Sequence, residues 1–330
     1  MRVFLAGATG AIGKRLIPLL RQAGHSVTGM TRSPSKADAL RDAGAEVAIV
    51  DALNAADVAS AVKAARPEVI IHELTAIPQA FDVRRFAQQY AQTNRLRVEG
   101  TDHLLSAAQS AGVRRFVAQS YAGWTYARTG GPVKNENDPL DPSPPAAFRE
   151  AFNAIQHLES AVLRANGIEG IVLRYGGFYG PGNALGEGGA IVEQVRHRRF
   201  PIVGAGTGIW SFIHIDDAAR ATVAAVDRGA PGIYNIVDDD PAPVSQWLPA
   251  LAQSLGAQPP MRLPAWLGRL VIGEHGVIMM TEVRGASNEK AKRALDWRPL
   301  WSTWREGFKD GLSDAGASAR SQEFASRSAR

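Results

Sequence analysis

The stretch Gly7-Ala8-Thr9-Gly10-Ala11-Ile12-Gly13 follows a short apolar run, Arg2–Ala6, and opens an amphipathic segment that starts at residue 12. Few local patterns restrict a fold as strongly. Glycines three residues apart let the backbone turn sharply and come close to a ligand, and a helix start just beyond them supplies unpaired N–H groups and the positive end of a dipole. Strand, glycine loop and helix in that order point to a pyrophosphate cradle, with Gly7, Thr9, Gly10, Ala11, Ile12 and Gly13 as its lining. The alternative is an ordinary strand–helix turn; the position of the loop after a first strand favours the dinucleotide reading.

The rest of the chain agrees with such a loop. Strand candidates at Arg2–Ala6, Ser26–Met30, Glu46–Val50, Val69–His72, Arg115–Gln119 and Glu169–Arg174 alternate with helical patterns at 12–23, 35–43, 55–65, 84–111 and 146–166. That alternation predicts an α/β fold, a doubly wound parallel sheet of the Rossmann type. After Gly176 the pattern loosens into a glycine-rich loop over 176–190, a helix at 190–198, a helix at Asp216–Arg228 and a last strand at Gly232–Val237. We therefore expect a nucleotide-binding domain from 1–175 and 211–240, a smaller C-terminal substrate lobe from 176–210 and 241–312, and a disordered tail over 313–330, where no apolar stripe remains.

Composition removes several classes. Of 330 residues, 45% are hydrophobic and 21% charged, which excludes a disordered or fibrous chain. There is no cysteine, so disulfides and thiolate metal sites are out, and the seven histidines show no zinc spacing, so no metal is expected. No run approaches the roughly 18 apolar residues of a membrane span. The apolar start stops at Thr9-Gly10, short for a secretory leader, and a cytoplasmic protein is expected. A net charge of +5 is mild and does not mark a nucleic-acid binder.

The end of the second strand bears on the cofactor. It reads Gly29-Met30-Thr31-Arg32-Ser33, with no carboxylate until Asp38 and with Lys36 one turn on. An acidic residue at this point usually holds the ribose 2′-OH of NAD, whereas Arg32 and Ser33 suit a 2′-phosphate. NADP(H) is expected over NAD(H), which stays possible; the competing reading makes Arg32 a solvated loop residue.

With its GxxGxxG spacing the chain resembles the extended short-chain dehydrogenase/reductase family, which includes nucleotide-sugar epimerases and dehydratases. Further motifs in the right order carry the resemblance: Arg115-Phe116-Val117 leading to Ser120, Gly100-Thr101 with Leu104-Leu105, Leu173-Arg174 with Tyr179-Gly180-Pro181-Gly182, Phe212-Ile213-His214-Ile215-Asp216-Asp217, Tyr234-Asn235-Ile236 and Trp297-Arg298-Pro299. The resemblance implies that Asp51, with Ala52 and Leu53, contacts the adenine. It implies that Leu74, Thr75 and Ala76 lie beside the ribose and that Asn94 belongs to the cofactor site. It also implies a homodimer built on the two long helices, 84–111 and 146–166, for which Phe148, Phe152, Ile155 and Leu158 offer apolar surface.

The same family places its chemistry on a Tyr-x-x-x-Lys pair followed by a Glu. Taking Glu159 as that Glu puts Ile155 and Ala151 at the Lys and Tyr positions, and 140–165 holds no Tyr and no Lys. Ser120 or Tyr121 stands at the family's serine, and Arg97 where an Asn is usual. Tyr121 is then a candidate proton donor, with Arg97 lowering its pKa; alternatively Tyr121 and Trp124 only floor an apolar pocket. Trp210 and Gly177 replace the Arg and Asn expected beside a nucleotide sugar. Trp210, Trp247, Trp266, Trp297, Trp301 and Trp304 could line a pocket or simply pack the small lobe. The resulting expectation is an NADP(H)-dependent reductase with a non-standard active site, acting on a small apolar or aromatic carbonyl, enone or imine. Its competitors are a non-catalytic NADP-binding sensor or scaffold and, disfavoured by the missing groups, a nucleotide-sugar epimerase or dehydratase.

Overall fold

A computed structural model describes residues 1–78 and 85–328. Seven parallel strands form the central sheet: β1 Arg2–Ala6, β2 Ser26–Thr31, β3 Glu46–Ile49, β4 Val69–His72, β5 Arg115–Tyr121, β6 Glu169–Tyr175 and β7 Gly232–Ile236. Their order is β3-β2-β1-β4-β5-β6-β7. Val3 of β1 lies between Val27 of β2 and Val69 of β4. Parallel neighbours need crossovers, and here these are the helices α1 Gly13–Gln22, α2 Ala37–Asp42, α3 Ala55–Ala65, α4 Phe86–Arg95 continuing into α5 Thr101–Ser110, and α6 Arg149–Leu163.

Alternation along β1 shows how both faces are covered. Val3 and Leu5 join an apolar cluster with Leu16, Ile17 and Leu20 of α1 and with Ala218, Ala221 and Ala225 of a later helix, Ile215–Asp227. Phe4 and Ala6 join the opposite cluster, with Val58 and Val62 of α3, Leu104 and Ala108 of α5, and Leu158 and Val162 of α6. A period of two in the strands thus meets a period of 3.6 in the helices on each side. Strand order reverses between β1 and β4, so the crossovers leave in opposite directions and open a crevice at the C-terminal ends of those strands.

A third apolar cluster lies outside the sheet layers and gathers Tyr179, Val192, Phe212, Trp247, Leu251, Trp301, Trp304 and Phe308. Most of the tryptophans therefore pack: Trp247 and Trp304 are fully buried, Trp297 sits in a sheet cluster, and Trp266 alone is 64% exposed. Within the segment expected to be loop, Gly177–Tyr179 forms a short parallel pair with Phe212–His214. None of the described helices is long and apolar enough to cross a membrane.

Three expectations change. The long helix expected over 84–111 begins, among the described residues, at Phe86, and it is interrupted by a π turn at Leu96–Gly100; residue 84 lies outside the described residues. The tail expected to be disordered instead carries a helix, Asp314–Ser328. It has no apolar stripe because other contacts anchor it. Arg320 donates to the Leu300 carbonyl at 3.1 Å and to Glu306 at 2.8 Å, and its guanidinium lies 5.2 Å from the Trp301 ring centre. In addition, Phe148, Phe152, Ile155 and Leu158, counted as dimer surface, are all 4% exposed or less within one chain. The dimer expectation thus keeps only the resemblance.

If the tail helix is docked as described, ending the chain after Ser313 removes a charge-assisted hydrogen bond and a cation–π contact. Thermal melting should then fall by about 1–3 °C, the shift that corresponds to roughly 1–2 kcal/mol in a chain of this size. An unchanged melting temperature would return the tail to the disordered class.

Candidate active site and nucleotide cradle

The glycine loop fits a pyrophosphate on its own geometry. Gly7 takes φ +95, and a Cβ there would lie 2.6 Å from the Glu73 carbonyl oxygen. A Cβ on Gly13 would overlap the Gly7 carbonyl oxygen, so α1 can start this close only with glycine. The Gly10 N–H donates to the Gly7 carbonyl at 3.0 Å. No side chain caps α1 and no acid stands in its first turn, which leaves the helix N-terminus to an anion. Thr9 is half-buried and Gly10 and Ala11 are exposed, while Ile12 turns inward.

The other cradle residues converge on the same crevice. Arg32 is exposed at the end of β2 and makes no hydrogen bond or ion pair with any described residue, whereas the Ser33 hydroxyl meets that of Ser35 at 2.9 Å. Asp51 accepts from the Leu53 N–H at 3.0 Å and so shapes its own turn. Ala52 and Leu74 both face Gly100, within 4 Å of where a Cβ would stand. Thr75 is exposed, and the Ala76 N–H donates to Thr93 Oγ1 at 3.0 Å, tying the turn after β4 to α4 one residue before Asn94. Asn94 keeps a buried amide oxygen without a partner.

Ser120 does not stand free. Its hydroxyl donates to Glu159 Oε1 at 2.6 Å, and Glu159 in turn takes a bidentate pair from Arg174, at 2.7 Å from Nε and 2.6 Å from Nη2. Arg174 Nη1 donates to the Tyr126 hydroxyl at 3.0 Å, which donates to Asn235 Oδ1 at 2.7 Å. Ser120, expected at the catalytic position, is thus engaged: its hydroxyl helps to satisfy a buried carboxylate that would otherwise be costly.

Ala151 and Ile155 are each 1% exposed and belong to an apolar wall with Phe86, Trp124, Phe148, Phe152, Ile278 and Val283. Trp124 and Phe148 stack at 4.5 Å, and Phe86 lies 4.4 Å from Phe148. Tyr121 leans on Trp124 at 6.2 Å between ring centres. Its phenol pKa is pushed up, by burial first and by Tyr90 second; Arg97 pulls the other way without prevailing. Arg97 thus lowers the Tyr121 pKa as expected, but desolvation outweighs one cation and the phenol is not acidified. His72 is held neutral, pushed down to about 4 by burial and then by Arg97. Phe86, Tyr90 and His275, which complete this wall, carried no motif, since their meeting is purely tertiary.

Glu73 was also missed, although an acid closing an apolar strand is a visible anomaly. It is 3% exposed, accepts from the Tyr175 hydroxyl at 2.9 Å, and has no partner for Oε2. Burial raises its pKa from 4.5 to about 8. A folded value above the unfolded one means that the folded state prefers the protonated acid. That contribution is complete below about pH 4.5 and is lost as pH climbs through 8. Glu73→Gln should therefore flatten the fall in stability across this window and be more stable than the parent above pH 8 by roughly 2–5 kcal/mol, read from urea unfolding at pH 5, 7 and 9. Parallel pH profiles for the two proteins would show that Glu73 is ionised throughout.

Comparison with known proteins places this geometry. The sequence pattern of the NAD dependent epimerase/dehydratase family matches residues 3–237. A curated relative from Streptomyces, "3-diazoavenalumate denitrifying reductase", is 43% identical over 309 residues, covering 93% of this chain and 99% of its own. Among solved structures, the Thermus thermophilus UDP-glucose 4-epimerase complex with NAD superposes with a TM-score of 0.72 at 23% identity, over 94% of this chain and 98% of that one. A human epimerase family protein with NADPH gives 0.70 at 21%, over 94% and 99%. These two likenesses speak to the fold, and the parallel sheet agrees with them. The reductase and dehydrogenase names among the relatives set aside the non-catalytic sensor. The chain belongs to the NAD-dependent epimerase/dehydratase family and is an NAD(P)-dependent oxidoreductase of the extended short-chain type.

Proposed function

We propose that this oxidoreductase is an NADPH-dependent reductase whose substrate is a small aromatic compound bearing a diazo group. The observation that carries the reading is the wall at Ala151 and Ile155. Where a Tyr and a Lys would form a proton relay, this chain presents buried hydrocarbon backed by Phe86, Trp124, Phe148 and Phe152. Such a wall takes an aromatic ring and donates no proton. Tyr121 at its margin is held as a neutral phenol.

The substrate chemistry follows from that lack. Reducing a carbonyl leaves an alkoxide that needs a proton, a step a positioned acid speeds by about 10²–10⁴-fold. A bound nicotinamide would supply a hydride; an aryldiazonium ion taking it at the ring carbon would gain one C–H bond as the C–N bond breaks and dinitrogen leaves, with charge balanced and no proton required. The name of the Streptomyces relative, with its diazo substrate and loss of nitrogen, agrees with this choice over the carbonyl, enone or imine expected from sequence. The chain's own residues hold the parts: Gly7–Gly13 the pyrophosphate, Arg32 and Ser33 the 2′-phosphate, Asp51–Leu53 and Leu74–Ala76 the nucleoside, and the aromatic wall the substrate ring, from which it excludes water. A homodimer in the cytoplasm completes the reading and rests on the family resemblance.

Purified protein given NADPH and a benzenediazonium salt should oxidise the cofactor and release arene and dinitrogen in equal amounts. Turnover of simple ketones or enones with none of the diazonium would overturn the reading. Tyr121→Phe should keep kcat within about threefold of the parent; a loss near 10²-fold would restore Tyr121 as a proton donor. NADPH should bind more tightly than NADH, and Arg32→Ala should shrink the difference by about 1–3 kcal/mol, the range for a charge-assisted hydrogen bond. Equal affinities of the parent for the two cofactors in calorimetric titration would refute that preference.

A further inference from the structure

Four Lys or Arg side chains are buried among the described residues: Arg97, Arg115, Lys134 and Arg174. Three of them are matched. Arg174 holds Glu159, Arg115 donates to Glu169 at 2.8 Å, and Lys134 donates to the Thr129 carbonyl at 2.7 Å. Arg97 is 5% exposed, forms no hydrogen bond or ion pair with any described residue, and has Nη1 fully enclosed without a partner. A guanidinium cannot shed its proton to escape that situation. An unmatched charge in a dry interior is costly, so a fold that retains one needs an anion from outside.

The surroundings say which anion. Arg97 sits in the π turn Leu96–Gly100, and its guanidinium lies 6.0 Å from the Tyr90 ring centre. Tyr90 stacks on Phe86 at 4.2 Å, and Phe86 is part of the wall with Trp124 and Phe148. The cation therefore closes one end of an aromatic surface. Among the described residues no carboxylate is available to it: Glu159, whose charge Arg97 feels, is already bound by Arg174 and Ser120. A planar fork of N–H groups matches the two oxygens of a carboxylate.

We propose that Arg97 binds a carboxylate on the substrate, so that the enzyme acts on aromatic acids. This rests on the aromatic wall being the substrate site, as proposed above, but its test needs no turnover. Cinnamate and its uncharged amide, cinnamamide, have the same shape and carry no diazo group. Titrated into the full chain with NADP⁺ present and followed by tryptophan fluorescence, cinnamate should bind the parent at least about 10-fold more tightly than the amide, the scale of one charge-assisted pair. Arg97→Gln should abolish that preference while amide and NADP⁺ affinities hold, and Arg97→Lys should keep part of it. Equal binding of acid and amide by the parent, or binding of neither, would overturn the proposal, and so decides it even if the variants fail to fold. A preference that survives Arg97→Gln would also overturn it, as would a loss of NADP⁺ affinity in that variant, which would assign Arg97 to the nucleotide. Acid-selective binding without reduction of any diazonium would leave Arg97 in place and remove the diazo chemistry instead.

Discussion

The active-site half of the molecule depends on the buried ion pair of Glu159 with Arg174. Through it α6 is locked to β6; through Ser120 the same carboxylate reaches β5, and through Tyr126 and Asn235 the network reaches β7. Ile155 and Ala151 lie four and eight residues before Glu159 and so share its helix face. Once the ion pair fixes the rotation of α6, hydrocarbon is what the helix shows to Phe86, Trp124 and Phe148. The polar network and the apolar wall are one arrangement, because turning either would break the other.

The charge state of the region follows from burial. His72 is neutral because it is pushed down, Glu73 is protonated because it is pushed up, and Tyr121 is a neutral phenol. His72 and Glu73 escape an unfavourable charge through their proton count, and Tyr121 stays the neutral phenol it would be in water. Arg97 lacks that route and keeps a fixed positive charge beside the aromatic wall that no described residue pairs. At neutral pH burial therefore favours the uncharged forms of His72, Glu73 and Tyr121.

What the sequence made legible was what neighbouring residues determine. The Gly7–Gly13 loop, the two-residue alternation of Val3-Phe4-Leu5-Ala6 and the end of β2 at Arg32-Ser33 are local, and strands and loop stand where the pattern put them. What it hid was set by distant contacts. Ser120 looked like a catalyst because Glu159 and Arg174, 39 and 54 positions away in the sequence, are invisible to a local pattern. Tyr121 beside Arg97 suggested an acidified phenol, since spacing reveals a nearby cation but not the desolvation that outweighs it. The tail looked disordered because Arg320 docks through polar contacts that hydrophobic periodicity does not register. The oxidoreductase class was readable from motifs in order, while the substrate depends on which wall faces which charge.

The π turn at Leu96–Gly100 has an evolutionary consequence. Each residue of an α-helix advances the helix by about 100°, so one residue too many in a turn offsets the two halves of the rod by that angle. Here the offset lets α5 keep Leu104 and Ala108 against the sheet while α4 turns Phe86 and Tyr90 toward the aromatic wall. Deleting one residue from this turn would bring the halves back into phase and swing the α4 side chains off the pocket, yet leave the packing of α5 intact. The two halves of the helix can therefore drift independently, since a single-codon deletion in the π turn would re-aim α4 while leaving α5 where it packs.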